Sequence, residues 1–297
     1  MYRNHFGLRE MPFGITPDTS FAYACNTHQE ALNTLLVAVK NGEGFIKITG
    51  EVGTGKTLLC RRFLATLDQN HVSAYILNPY LEPRTLLLGL AEELGVALSK
   101  QADQHHLMKE LTRALLNFAR QGKTVVLALD EAQAMPIETL EALRLLTNLE
   151  TEKRKLLQVV LFGQPEIDQK LEHKSVRQLR QRITFQYRLT ALERGEVDHY
   201  ITHRLRVAGF RGNRLFTRPA TRLVHRFSGG VPRLINIVSH KAMLLCYGEW
   251  LHHVLPLHVR KAAADTPMVH ERRPWWWLGF AMLVLSVGGI GWMVLSA

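Results

Sequence analysis

The chain has 297 residues, of which 46% are hydrophobic and 21% charged, a balance that excludes an intrinsically disordered protein. Its three cysteines, Cys25, Cys60 and Cys246, are widely spaced and form no C-x-x-C pair, which excludes a disulfide framework and favours a reducing compartment. The formal net charge is +11, and the segment from Lys174 to Lys261 holds 17 basic residues against four acidic ones, which favours an anionic partner such as nucleic acid, anionic lipid or an acidic protein.

The first 44 residues precede the first predicted strand. They begin with MYRNHFGLRE, which has no apolar h-region, so we expect no secretory signal. Pro12 and Pro17 interrupt this stretch, and a helical pattern follows from His28 to Lys40. We assign residues 1–44 to the N-terminal segment of the module that follows.

Apolar runs alternate with helical patterns between residues 45 and 192. The runs are FIKITG (45–50), VSAYILNP (72–79), TVVLALDEA (124–132), LQVVLFGQ (157–164) and ITFQYRLTA (183–191). Continuous apolar strands separated by helices indicate a parallel sheet that is covered on both faces. We therefore predict an α/β domain in which helices flank a parallel sheet.

A loop of the form G-x-x-x-x-G-K-[ST] joins the first run to the next helix. Its glycines let consecutive backbone N–H groups wrap a phosphate at the positive end of that helix. We expect Lys56 to reach the β- and γ-phosphates of ATP and Thr57 to ligate Mg²⁺. The predicted ATP-binding residues of the loop are Gly50, Glu51, Val52, Gly53, Thr54, Gly55, Lys56, Thr57 and Leu58. Residues 45–192 are thus predicted to be a nucleotide-binding domain.

Polar residues that follow the third and fourth runs complete a predicted hydrolytic site. Asp130 is expected to hold Mg²⁺ through water, and Glu131 to polarise the attacking water. Gln164 ends the next run, where its side chain can orient the same water. Catalysis is thus assigned to Glu131, Lys56 and Gln164.

Three arginines are further candidates. Arg180 and Arg182, in RQLRQRI, are expected to reach a neighbouring subunit as arginine fingers and are added to the catalytic set; that each is an ordinary surface arginine stays open. Arg233, in SGGVPR, is expected to touch the γ-phosphate and joins the nucleotide-binding set.

The strand pattern stops after Leu192. Helical patterns at 194–208, 218–227 and 231–247 predict a small α-helical lid over residues 193–255. Residues 256–274, with three prolines, three alanines and several charges, are expected to be a linker.

Residues 275–297 contain no charged residue. These 23 residues span about 34 Å as a helix, enough for a hydrocarbon core of about 30 Å. Arg272 and Arg273 precede the segment, so the positive-inside bias places the preceding domain in the cytoplasm. We predict a single transmembrane helix at 275–297 and no domain beyond it; a buried helix of a soluble protein is the alternative.

Together these motifs resemble the AAA+ ATPases of the ExeA/GspA group of the general secretion pathway. The resemblance covers about residues 1 to 250 and rests on HFGLREMPFGITPDTSFAY, GFIKITGEVGTGKT, LALDEAQ, LFGQPE, LRQRI and SGGVPRLINIVSHKAML. Within the group the chain looks most similar to the ATPases associated with mannose-sensitive haemagglutinin type IV pilus biogenesis.

The resemblance implies an AAA+ P-loop fold and ATP hydrolysis with Mg²⁺ by a ring-type homo-oligomer at the bacterial inner membrane. It implies inner-membrane pilus or secretion assembly proteins as partners, Gln164 as the sensor of the fourth strand, Arg182 as the finger and Arg233 as the lid sensor. Longer members continue past the membrane into a peptidoglycan-binding region. We do not expect wall binding here, since the sequence stops at Ala297.

Two alternatives remain open at the level of sequence. The same AAA+ branch resembles DNA-binding transposition-helper ATPases, and the basic lid is compatible with nucleic acid, whereas the apolar C-terminal segment argues against that function. A nucleotide switch that binds ATP but scarcely hydrolyses it is the second alternative, and Glu131 argues against it.

Overall fold

A parallel five-stranded sheet forms the centre of residues 45–192. The structure is a computed structural model that describes residues 2–77, 80–97, 103–148 and 155–267. The strands are β1 (Phe45–Gly50), β2 (His71–Ile76), β3 (Thr124–Leu129), β4 (Leu157–Gly163) and β5 (Ile183–Leu189), in the spatial order β2-β3-β4-β1-β5 with every neighbouring pair parallel. The predicted α/β fold with a parallel sheet is confirmed.

Burial explains the apolar character of the strands. β1 and β4 are buried along their whole length, because helices cover both faces of the sheet. β5 is an edge strand, and its residues alternate between exposed and partly buried positions until Leu189. Since all strands are parallel, the loops that follow β1, β3 and β4 meet at one edge of the sheet, where α/β proteins bind ligands.

Helices cover both faces of the sheet. The helices before the lid are α1 (Tyr2–His5), α2 (Asn26–Lys40), α3 (Lys56–Thr66), α4 (Pro83–Glu93), α5 (Gln104–Arg120), α6 (Ile137–Leu146), α7 (Glu166–Leu171) and α8 (Arg177–Arg182). Alternate strand residues enter two cores: Ile46 and Ile48 pack with α2 and α3, whereas Leu127 and Leu161 pack with α4 to α8.

Four helices form the lid: α9 (Arg194–Val207), α10 (Arg218–Ser228), α11 (Pro232–Gly248) and α12 (Pro256–Ala264). The Thr217 side chain caps α10 by accepting from the backbone N–H of Ala220, and Gly229 ends that helix in the left-handed conformation. Val197, Val224 and Val238 are fully buried in the shared core. The first three helices correspond to the predicted lid.

The structure differs from the expected linker at residues 256–274, because its first half is the helix α12. Pro256 occupies the first turn of α12, where a missing backbone N–H is tolerated. Val259 and Ala262, three residues apart, are buried in the lid core, and buried His258 lies with its Nε2 3.0 Å from Oε2 of Glu249. Residues 268–274 lie outside the described residues.

The beginning of the chain packs into the lid core and not against the sheet. Tyr2, Phe6 and Phe21 are buried there, and the Tyr2 hydroxyl lies 2.9 Å from Nδ1 of His240. The guanidinium of Arg204 lies 4.7 Å above the Phe21 ring, a cation–π contact. The buried apolar residues of the N-terminal segment, assigned to residues 1–44, pack into the core of the sheet domain from α2 onward.

No helix within the described ranges up to residue 267 is long and apolar enough to cross a bilayer. The predicted span at 275–297 lies outside those ranges, as do Arg272 and Arg273. The span therefore stays a prediction from the sequence.

Candidate nucleotide-binding site

The loop between β1 and α3 is held in shape by its neighbours. Gly55 has φ 97°, in the left-handed region, and a Cβ at this position would lie 2.7 Å from Cε1 of His28. His28 Nε2 donates to the carbonyl oxygen of Thr54 at 2.8 Å, and the Thr54 hydroxyl donates to the carbonyl oxygen of Glu51 at 2.8 Å. The backbone is thus fixed in a close-packed turn at the N-terminus of α3, a cradle suited to phosphate.

Lys56 begins α3 and is only 5% exposed. Its Nζ donates to the carbonyl oxygens of Gly50 at 2.7 Å and Glu51 at 3.1 Å. Burial lowers the pKa of Lys56, although the nearby carboxylates of Glu131 and Asp130 act in the opposite direction. The ammonium group can therefore exchange two carbonyl acceptors for phosphate oxygens without leaving the loop.

The remaining loop residues differ in exposure. Val52 is 48% exposed, and the carboxylate of Glu51 lies 3.8 Å from the guanidinium of exposed Arg188. Leu58 is partly buried in α3. The side chains of Val52 and Glu51 thus lie at the surface of the loop, and that of Leu58 lies on α3.

Asp130 directly follows β3 and is a fully buried carboxylate. Its Oδ2 accepts from the Thr57 hydroxyl at 2.6 Å and from the Tyr75 hydroxyl at 3.3 Å, and its Oδ1 accepts from the backbone N–H of Glu131 at 3.0 Å. Burial, reinforced by the charge of Asp130, raises the pKa of the Tyr75 phenol, so Tyr75 stays a donor. Thr57 and Asp130 present the hydroxyl and carboxylate oxygens that Mg²⁺ prefers, so the residues present fit this ion.

Glu131 sits in a network of side-chain amides. Its backbone adopts φ 53°, an uncommon left-handed conformation for a residue with a side chain. Its Oε2 accepts from Gln133 Nε2 at 2.6 Å and from Gln164 Nε2 at 3.3 Å, while Gln133 Oε1 accepts from the backbone N–H of Gln164 at 2.9 Å. Gln133 thus links the ends of β3 and β4 and fixes the direction of the Glu131 carboxylate.

Arg233 brings the lid to the loop. Its backbone N–H lies 3.3 Å from the carbonyl oxygen of Gly53, and a Cβ on Gly53 would lie 2.7 Å from Cβ of Arg233. The turn before α11 is fixed by Gly230, whose carbonyl oxygen accepts from the backbone N–H of Leu192 at 2.9 Å. The backbone of Arg233 therefore contacts the phosphate loop, and its side chain is exposed next to that loop.

Arg180 and Arg182 lie on α8 and make no contact with the phosphate loop of their own subunit. The guanidinium of Arg180 lies 3.8 Å from the carboxylate of Glu172, and Arg182 donates to the Asn148 side chain. Arg180 is exposed and Arg182 partly so. The structure thus leaves both arginines at the surface, where a neighbouring subunit can meet them.

The structure adds three residues that sequence reasoning missed: His28, Tyr75 and Gln133. Gln133 stands within the quoted motif LALDEAQ, two residues after Glu131, and this spacing was the available signal. His28 and Tyr75 carry no local signal, because their partners Thr54 and Asp130 are 26 and 55 residues away in the sequence.

Comparisons of the sequence with known families and proteins agree with this geometry. Residues 39–171 match the family model described as AAA domain. General secretion pathway protein A of Aeromonas hydrophila is 42% identical over 275 residues, which are 93% of this chain and 50% of that protein. The chain therefore spans about half the length of this curated relative.

Solved structures share the fold at low sequence identity. The ORC2 protein of Aeropyrum pernix is 16% identical with a TM-score of 0.64, and the alignment covers 86% of this chain and 73% of that one. Cdc6p of Pyrobaculum aerophilum is 16% identical with a TM-score of 0.66, over 86% and 72% of the two chains. RuvB of Thermotoga maritima is 16% identical with a TM-score of 0.57, over 85% and 73%.

These likenesses show the AAA+ P-loop fold, which binds nucleotides. The family match also supports the predicted class of enzyme, an ATP hydrolase. The predicted relationship is confirmed by the secretion-pathway relative and the AAA domain together. The chain therefore resembles the ExeA/GspA group of AAA+ proteins over 93% of its length.

Proposed function

We propose that the chain is a membrane-tethered ATPase that hydrolyses MgATP to ADP and phosphate in order to assemble or remodel a type II secretion complex or a type IV pilus of the mannose-sensitive haemagglutinin kind. The observation that carries this proposal is the placement of Glu131, held by two amide donors, at the sheet edge that also carries the phosphate loop. The secretion-pathway name of the relative from Aeromonas hydrophila supports the process.

Lys56, Thr57 and Asp130 bind and orient the substrate in this proposal. The loop N–H groups and the Lys56 ammonium hold the phosphates, and Arg233 reaches toward the γ-phosphate from the lid. Thr57 and Asp130 would hold Mg²⁺, which when bound neutralises charge on the phosphate oxygens. Tyr75 keeps the Asp130 carboxylate in place by donating to it.

Glu131 acts as the general base. Its carboxylate accepts a proton from the attacking water, and the amides of Gln133 and Gln164 fix its direction. A protein that only binds nucleotide has no need for a carboxylate preorganised by two donors. This argues against a switch that scarcely hydrolyses ATP.

Assembly into a homo-oligomeric ring completes the site. An exposed Arg180 or Arg182 from a neighbouring subunit supplies the positive charge that the γ-phosphate transition state requires. Arg233 transmits the state of the nucleotide to the lid, because its backbone already contacts the phosphate loop. Lid movement then acts on assembly proteins in the inner membrane. Residues 275–297 tether the cytoplasmic domain to that membrane by a single transmembrane helix.

Glu131→Gln in the full-length protein, purified in detergent, tests the catalytic part of the proposal. Turnover should fall about 10² to 10⁴-fold while the dissociation constant for MgATP stays unchanged, because the phosphate and metal contacts remain and only the base is lost. Glu138→Gln on α6 is the matched control, since Glu138 is exposed and lies outside the site. Parental turnover in Glu131→Gln would contradict the assigned role.

The proposed role in pilus assembly or secretion is tested in cells. A deletion strain that expresses the wild-type chain should regain surface pili or secretion, whereas one that expresses Glu131→Gln at equal level should not. Equal restoration by both variants would show that hydrolysis is not what the assembly needs. Loss of DNA transposition with normal pili and secretion would favour the transposition-helper alternative.

A further inference from the structure

We infer that a groove of arginines on the lid docks the domain onto the membrane by binding the phosphate groups of anionic lipids. The groove lies between α10 and α12, beside the start of α9, and is lined by Arg194, Arg222, Arg226 and Arg260 together with Leu223 and Pro256. This inference rests on the membrane tether of the proposed function, and it assigns a surface and a ligand class to the excess positive charge of the lid.

Four guanidinium groups line the groove. Within the described part of the chain, none of them makes a hydrogen bond or an ion pair. The acidic residues of the lid are engaged elsewhere: Glu193 and Glu196 in a capping box, Asp198 with Arg214, Glu249 with His258 and Lys261, and Asp265 with Lys241. The groove therefore carries concentrated positive charge that the fold does not neutralise.

The fold explains the positions of these arginines only in part, since only Arg226, in the last turn of α10, is clearly favoured by the helix dipole. Arg222 and Arg226 lie one turn apart on α10, a spacing at which like charges destabilise a helix. On α12, Val259 and Ala262 are buried in the lid core, whereas Arg260 is exposed. An external anion is the simplest source of compensating free energy.

The chemistry of the groove suits phosphate. A guanidinium offers a planar fork of donors that pairs with phosphate oxygens, and the basic residues of the groove are arginines and one histidine, with no lysine. Leu223 and Pro256 add apolar surface between the charges, which is compatible with the boundary between headgroups and acyl chains.

The path of the chain favours lipid over nucleic acid as the source of phosphate. α12 carries Arg260 and ends at Ala264, and ten residues separate that end from Trp275, where the predicted span begins. Ten residues reach at most about 36 Å, so the tether keeps the groove close to the headgroups and at high effective concentration. A nucleic acid has to be recruited from solution without that advantage.

Hydrogen exchange on the full-length protein in nanodiscs tests the inference. Peptides that cover α10 and α12 should exchange more slowly in discs of phosphatidylcholine mixed with phosphatidylglycerol than in phosphatidylcholine alone, and salt should reverse the difference because it screens exposed charges. Arg222→Gln and Arg226→Gln should each lower this protection about fivefold, which corresponds to about 1 kcal/mol per basic residue near an anionic surface. The double variant Arg120→Gln, Lys123→Gln removes exposed charge outside the lid and should change nothing.

Equal exchange in the two kinds of disc, or an equal loss of protection in the control variant, would overturn the inference. Binding to nucleic acid, the other source of phosphate, is measured by fluorescence anisotropy of a labelled duplex oligonucleotide with the detergent-solubilised protein. Tight binding at physiological salt that requires Arg222 and Arg226, without any effect of anionic lipid, would reassign the groove to nucleic acid.

A separate measurement distinguishes an error in the proposed transmembrane span from an error in the proposed lipid-binding groove. Protein that carbonate releases from vesicles contradicts the proposed span and leaves the groove open to direct measurement. If the released protein then sediments with phosphatidylglycerol vesicles and not with phosphatidylcholine vesicles, the groove is supported; if it sediments with neither, the groove is overturned as well.

Discussion

The sheet domain and the lid arrange their charged groups in opposite ways. In the sheet domain, Lys56 donates to two loop carbonyls, Asp130 accepts three hydrogen bonds and Glu131 accepts two from side-chain amides. In the lid, the acidic residues serve caps and ion pairs, while the groove arginines have no partner among the described residues. The difference teaches that the side chains of the candidate site are positioned by partners within one subunit, whereas the arginines of the lid groove are not positioned by any partner among the described residues.

The largest expected effect tests whether the sheet domain needs an arginine from a neighbouring subunit for hydrolysis. Arg182→Ala should bind MgATP normally yet lose about 10³-fold or more of its hydrolysis rate, because a finger acts on the transition state. Mixing Arg182→Ala with Lys56→Ala subunits should restore part of the activity, which steady-state phosphate release measures. Arg177→Ala on the same helix is the control, as Arg177 is also exposed. Full activity of monomeric Arg182→Ala would contradict the role of Arg182 as an arginine finger.

A second effect concerns the turn that joins the sheet domain to α11. Gly230 has φ 79°, and a Cβ there would lie 2.1 Å from the carbonyl oxygen of Leu192, so Gly230→Ala must displace backbone. We expect it to lower the free energy of unfolding by about 3 kcal/mol. Gly229→Ala has a similar φ of 60° but no atom within 4 Å of the new Cβ, and should cost only about 1 kcal/mol. Urea denaturation distinguishes them; equal losses would show that the Leu192 contact is unimportant.

A smaller effect probes the amide network of the sheet domain. Gln133→Met keeps the length of the side chain but removes the donor to Glu131 and the acceptor for the Gln164 backbone. Turnover should fall about tenfold, while KM for ATP stays the same because no phosphate contact is lost. Gln169→Met, at an exposed position on α7, should leave both unchanged. A raised KM with unchanged turnover would mean that Gln133 serves binding and not catalysis.

The smallest effect depends on pH. Burial favours neutral His28, but the hydrogen bond and charge of Cys25 and the Thr54 carbonyl outweigh it, so the pKa of His28 is raised. A raised folded-state pKa gives stability that is complete below the ordinary imidazole pKa of about 6.5 and is lost as pH rises through the folded value. His28→Ala should therefore cost about 1 kcal/mol near pH 6 and less at higher pH, by urea denaturation. A cost that grows with pH would contradict this.

Local sequence patterns predicted most of the sheet domain and less of the lid. β1, β3 and β4 are continuous apolar runs, and the phosphate loop has a fixed spacing, so both could be located without any long-range information. α12 was expected to be a linker because Pro256 and its charges are typical of one; its burial depends on contacts with α10 and α11 that no local pattern encodes. Tyr2 likewise belongs to the lid through His240, which is 238 residues away.

The packing of residues 2–25 into the lid core means that the backbone passes between the two domains twice. One crossing lies at Cys25 and Asn26 and the other at Leu192 and Glu193. They are neighbours in space, since the backbone N–H of Asn26 lies 3.4 Å from the Glu196 carboxylate. A rotation of the lid about a line through both crossings leaves each connection unstretched, whereas contacts off that line, such as Arg233 with Gly53, must break or form. The two crossings thus form a pair of neighbouring connections between the domains, and removing the residues before α2 would also remove part of the lid core.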